Sequence, residues 1–184
     1  ADGYTFKGKY NSSISKITKI VSKLDSIKVV VGVSYINDFV LKSYSDKVVL
    51  WDDIVKFNEK DSLDFVQLPF NHPLYIMYSS GTTGQPKSIV HSSGGTLIQH
   101  YKELALHLNL KRNEKIFYFT TCGWMMWNWL VSALSIGSTV VLYEGNPFYP
   151  KPNHLLSIAD KSNINIFGTS AKYIDTVEEM GVEP

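Results

Sequence analysis

Strand-like and helix-like patterns alternate along these 184 residues, which points to an α/β fold with largely parallel sheets flanked by helices. Two further observations support that class. Three short apolar runs in the second half (116–121, 139–143 and 164–168) are separated or followed by stretches of helical periodicity. That βαβαβα order implies right-handed crossovers and parallel pairing. No internal repeat and no low-complexity tract interrupts the alternation.

The elements follow in chain order. After a polar opening, Ile14, Ile17, Ile20, Val21 and Leu24 recur at helical spacing behind Ser12 or Ser13, giving a helix of about three turns. Lys28 to Ser34 (KVVVGVS) and Lys47 to Trp51 (KVVLW) are β-branched runs that read as strands. With the first helix they suggest a βαβ-type unit. Trp51 to Phe57 adds a helical turn, Asn58 to Leu63 reads as surface loop, and Leu68 to Pro73 with its two prolines is the preferred internal border of one α/β segment spanning 1–184. Leu74 to Met77 is a short strand, and so are the residues from Ser88 to His91. Leu97, Tyr101, Leu104, Ala105 and Leu108 then form an apolar stripe behind Ser92 and Ser93, the mark of an amphipathic helix. Helical segments follow near Met125 to Leu134, His154 to Asp160 and Ala171 to Met180.

The stretch Tyr78 to Lys87, YSSGTTGQPK, concentrates hydroxyls, two glycines, a proline and one lysine in a single tight loop between two strands. Gly81 and Gly84 accept positive φ without a Cβ clash, so consecutive backbone N–H groups can converge on an anion. Ser79, Ser80, Thr82 and Thr83 add donors, Pro86 stiffens the exit, and Lys87 supplies countercharge. A Walker phosphate loop fails on two counts. Pro86 occupies the place of its second glycine, and IVHSS reads as extended where that motif opens a helix. GTTG alone is ordinary turn chemistry; the full string with Pro and Lys at fixed spacing reads as a phosphate cradle.

SSGTTGQPK resembles the phosphate-loop signature of the adenylate-forming enzymes, the superfamily of acyl-CoA synthetases and peptide-synthetase adenylation domains. Gly123 to Pro147 and Phe167 to Ile174 (FGTSAKYI) look like its acetoacetate-activating branch, the acetoacetyl-CoA synthetases. The resemblance covers essentially the whole chain, including the opening ADGYTFKGK, and implies a portion of a larger N-terminal lobe. It further implies ATP, Mg²⁺ and CoA, with acetoacetate converted through an acyl adenylate to acetoacetyl-CoA, AMP and pyrophosphate. Thr82, Thr83 and Lys87 would act in catalysis, and Ser79, Ser80, Gly81 and Gly84 would complete the phosphate cradle. Trp124, Met125, Met126 and Trp127 would border the acyl pocket, with Asn128 orienting a carbonyl. Gly168, Thr169 and Ser170, with Thr120 to Trp124, fall at expected carboxyl ends of strands, where ligands of parallel sheets bind. The adenine, ribose and Mg²⁺ motifs and the family's catalytic lysine would lie beyond Pro184, so this chain alone is expected to be inactive. A ligase for another short acid, or a non-catalytic α/β domain with a structural glycine loop, are the competing readings.

Composition narrows the partners. With 18 basic and 17 acidic residues the net charge is +1, so no bulk field favours nucleic acid or an anionic membrane, and the substrate's charge must be met locally. The single cysteine, Cys122, excludes an intrachain disulfide, suits a reducing cytoplasm, and reads as a small buried hydrophobe. His100 and His107 lie seven apart on the predicted helix without acidic or cysteine company, so they read as solvated surface rather than metal ligands. His91 reads as structural. The cluster of two Met and three Trp in residues 124–129 reads as a helix start packed into a core that leaves room for an acyl chain.

Overall fold

In the computed structural model of the chain, residues 1–36, 46–55, 62, 64–80 and 84–183 are described. They divide into two compact units, 1–64 with 144–149, and 65–143 with 150–184.

The first unit opens with a hairpin that the polar opening concealed. Strands β1 (Gly3–Phe6) and β2 (Lys9–Ser12) pair antiparallel, and the two-residue turn between them has both residues at positive φ, 49° at Lys7 and 74° at Gly8. That is the mirror-image turn whose twist matches a hairpin, and Gly8 supplies the conformation at least cost. Asp2 is buried, and its Oδ1 accepts from the backbone N–H groups of Tyr35 at 2.9 Å and Ile36 at 3.0 Å. Helix α1 (Ile14–Lys23) buries Ile14 and carries its polar residues outward. Strands β3 (Val30–Gly32) and β4 (Val48–Leu50) pair in parallel, and α2 (Trp51–Ile54) follows directly. The first helix therefore precedes both strands instead of crossing between them.

The second unit carries the core. Strands β5 (Pro73–Ser79) and β6 (Lys87–Ser92) form an antiparallel ribbon, with a register irregularity near Pro73. Ser92 ends β6 and caps α3 (Ser93–Tyr101), its hydroxyl accepting from Gly95 N–H at 3.2 Å. The helix continues through a wide π-type turn, Lys102–His107, closed by the Leu108 N–H to Glu103 carbonyl bond of 2.9 Å. Strand β7 (Lys115–Tyr118) is the centre of a parallel sheet of order β8-β7-β9, between β8 (Thr139–Val141) and β9 (Ile166–Gly168). Helix α4 (Met125–Val131) tightens into a 3-10 turn, Ser132–Ile136, which stops at Gly137 with φ 79°. Helix α5 (His154–Lys161) leads to β9, and α6 (Ala171–Glu179) leaves it.

Leu104, Leu110, Ile116, Leu130 and Ala133 form the core cluster of this unit, each buried, with Trp129, Tyr118 and Val140 packed against it. The buried face of α3 and its extension is Thr96, His100 and Leu104. Leu97, Tyr101 and Leu108 of the expected stripe are exposed. His100 is thus in the interior and not on the solvated surface, whereas His107 is exposed. Cys122 is exposed and not a buried hydrophobe. No helix among the described residues is long and apolar enough to cross a membrane.

Candidate functional site

The β5–β6 ribbon positions the phosphate-loop candidates. Ser79 is the last residue of β5 and pairs with Lys87, the first of β6, so the loop 80–86 closes over one cross-strand pair. A strand follows the loop, as YSSGTTGQPK implies and a Walker motif does not. Gly81, Thr82 and Thr83 lie outside the described residues. Ser80 and Gly84 are exposed on either side of them. The Lys87 ammonium is exposed and has no hydrogen bond or ion pair among the described residues.

A second group of candidates leaves the carboxyl ends of neighbouring parallel strands. Tyr118 pairs with Gly168 at the ends of β7 and β9, and Phe119 N–H donates to the Gly168 carbonyl at 3.0 Å. Thr120 to Trp124 and Gly168 to Ser170 therefore emerge side by side, where a parallel sheet binds ligands. Thr169 Oγ1 is buried and has no partner among the described residues. Ser170 has one: it caps α6, its hydroxyl accepting from Tyr173 N–H at 3.2 Å.

Between α3, β6, β7 and α4 lies a cavity of about 550 Å³, large enough for a small organic acid. Met125 and Met126 line it, while Trp124 and Trp127 are outside its lining. Trp124 is 49% exposed and stands 6.2 Å from the Tyr118 ring. Trp129, which sequence reasoning did not nominate, lines the cavity and meets Tyr118 edge-on at 5.8 Å. Its Nε1 is buried without a partner among the described residues, as is Thr96 Oγ1. Asn128 donates to Met77 Sδ at 3.4 Å.

The polar wall of the cavity is carried by β6, α3 and the π-type turn that extends it. His91, Gln99, His100 and Glu103 line it. Gln99 Nε2 donates to Glu103 Oε1 at 2.8 Å. Desolvation lowers the pKa of His100 below the usual 6.5; Glu103 opposes that shift and His91 adds to it. The spacing Thr96, His100, Leu104, four residues apart each time, was a signal for this buried face, masked by the more apolar Leu97, Tyr101 and Leu108.

The family model "AMP-binding enzyme" matches residues 11–183. The chain is 48% identical over 183 residues to the acetoacetyl-coenzyme A synthetase of Rhizobium meliloti, covering 100% of this chain and 28% of that protein. It is 45% identical over 188 residues to the acetoacetyl-CoA synthetase of Gallus gallus, again with 100% and 28% covered. The solved acetoacetyl-CoA synthetase from Streptomyces lividans superposes with a TM-score of 0.90 at 36% identity, covering 98% of this chain and 27% of that one. The chain thus spans a little over a quarter of the length of these relatives. A glycine- and hydroxyl-rich sequence between two antiparallel strands and a matching family model over nearly all the chain's length lead to one conclusion: the chain belongs to the AMP-binding enzyme family.

Proposed function

We propose that this chain supplies the phosphate loop and the acyl pocket of an ATP-dependent acetoacetate–CoA ligase. The observation that carries the reading is the Ser79–Lys87 pair, which closes a glycine- and hydroxyl-rich loop and leaves beside it a cation without a partner among the described residues. The family uses ATP and CoA, and the relatives named above support acetoacetate as the acid.

The carboxylate oxygen of acetoacetate attacks the α-phosphorus of ATP, the bond to the bridging oxygen breaks, and pyrophosphate leaves. Negative charge grows on the β and γ oxygens in that step. The loop amides, Thr82, Thr83 and Lys87 stabilise it, with Ser79 and Ser80 as flanking donors. The thiol sulfur of CoA, losing its proton, then attacks the acyl carbon and AMP departs. Met125 and Met126 hold the acyl chain, and Gly168 to Ser170 border the nucleotide crevice. Mg²⁺ accompanies ATP as its phosphate counter-ion. Among the described residues no three His, Cys, Asp or Glu gather to hold a metal, so the phosphates of ATP themselves would carry that ion.

The test is ATP–pyrophosphate exchange by the full-length enzyme bearing this chain. Acetoacetate-dependent exchange is expected. Absence of exchange with acetoacetate, including the case in which only another short acid supports it, overturns the reading.

A further inference from the structure

A hydrogen bond joins the helix that walls the cavity to the strand that leads into the phosphate loop. Asn128 Nδ2 on α4 donates to Met77 Sδ on β5 at 3.4 Å, between residues 51 apart in the chain. A thioether accepts but has no proton to give, so the nitrogen of the amide and not its oxygen faces the sulfur. The backbone carbonyl of Asn128 accepts in turn from Ser132 Oγ at 3.0 Å, and that oxygen lies 2.9 Å from His100 Nδ1 on α3. Asn128 is thus tied to α3 through its main chain and to β5 through its side chain.

Strand alternation carries this anchor to the loop. Met77 pairs with Ile89 and Ser79 with Lys87, so all four side chains leave one face of the ribbon. Ile89 lines the cavity, and Met77 beside it meets Asn128. Ser79 and Lys87 stand two residues further along each strand, about 7 Å away at the usual rise. On the helix side, Met125 and Met126 line the cavity from the first turn of α4, just ahead of Asn128. One bond therefore spans from the side chains against the cavity to the pair that closes the loop.

We infer that Asn128 and Met77 are positioning residues of the adenylation step, their hydrogen bond setting how the acid beside α4 is aimed at the phosphates held at the end of the β5–β6 ribbon. The inference rests on the ligase reading above. A misplacement of about 1 Å between reacting groups can cost about 10² in rate. Loss of this bond leaves the acid site and the phosphate site each intact, so it appears in the maximal rate and not in either KM.

The experiment measures acetoacetate-dependent pyrophosphate exchange by the full-length enzyme carrying Met77→Leu, Met77→Gln, Asn128→Leu and the two double variants. The exchanges at Met77 keep nearly the same volume, but only Met77→Gln keeps an acceptor. Met77→Leu and Asn128→Leu should each lower the maximal rate by about threefold to tenfold, with KM for acetoacetate and for ATP within about twofold of the wild type. Met77→Gln should be faster than Met77→Leu, and that advantage should vanish when either is combined with Asn128→Leu. Packing alone predicts the reverse order, because a partly buried apolar site favours the leucine side chain over the amide. Melting curves establish which variants are folded. A Met77→Gln enzyme no faster than Met77→Leu, whether folded or not, or an advantage that persists alongside Asn128→Leu, overturns the inference while leaving the ligase reading intact. Absence of acetoacetate-dependent exchange in the wild type overturns both.

Discussion

Ser79 and Lys87 face each other as the final cross-strand pair of the β5–β6 ribbon, so the start of the lysine side chain is fixed by the sheet and not by the loop. Its reach toward a bound anion is set before any ligand arrives. A unit charge about 4 Å from phosphate is worth roughly 4 kcal/mol at an effective dielectric of 20, before desolvation. Lys87→Ala should lower the adenylation rate of the full-length enzyme by about 10² to 10³, read by pyrophosphate exchange. An unchanged rate would remove Lys87 from the mechanism.

Ser170 lies just beyond the carboxyl end of β9, and its hydroxyl is committed to capping α6. Ser170→Ala should therefore cost about 0.5–2 kcal/mol of stability in urea unfolding, and Ser170→Asp should retain most of it. A loss of activity without a loss of stability would assign the hydroxyl to the ligand instead.

Gly168 has no room for a side chain, since a Cβ there would run into the Tyr118 ring. Tyr118 in turn packs on Trp124 and Trp129. Gly168→Ala should cost about 1–3 kcal/mol and displace the aromatic wall of the cavity, seen as a change in near-UV circular dichroism. Retention of both stability and spectrum would contradict this packing.

Leu104 is fully buried at the centre of the core cluster. Leu104→Ala should destabilise by about 2–5 kcal/mol, whereas Leu106→Ala, on the exposed side of the same turn, should stay within about 0.5 kcal/mol. Equal effects at the two positions would mean that the π-type turn faces the other way.

Because desolvation lowers its pKa, His100 binds its proton more readily unfolded than folded. The stability it contributes is complete above its unfolded value near 6.5 and is lost as pH falls from there toward the lower folded value. The melting temperature should drop between pH 7.5 and pH 5.5, and His100→Gln should flatten that drop. A slope identical in the two proteins would place the titration elsewhere.

The parallel sheet and the β5–β6 hairpin were legible because their β-branched runs and turn residues are local signals. The β1–β2 hairpin was hidden because its strands are polar and its turn uses lysine where asparagine or aspartate is usual, leaving Gly8 as the sole cue. The buried face of α3 was misjudged because Leu97, Tyr101 and Leu108 outweigh Thr96 and His100 on any hydropathy scale. Polar residues enter a core only where partners or a ligand await them, and a sequence does not display partners 32 residues away, such as Ser132 for His100.

The central position of β7 also shapes how this polypeptide emerges from the ribosome. Lys115 N–H waits for Asn165 Oδ1, made 50 residues later, and Ile116 and Phe117 wait for both flanking strands. At roughly 5–20 residues per second that interval is about 3–10 s, during which a sticky aromatic segment is bare in the nascent chain. Chaperone capture should therefore peak after β7 has cleared the exit tunnel and subside once β9 has cleared it too.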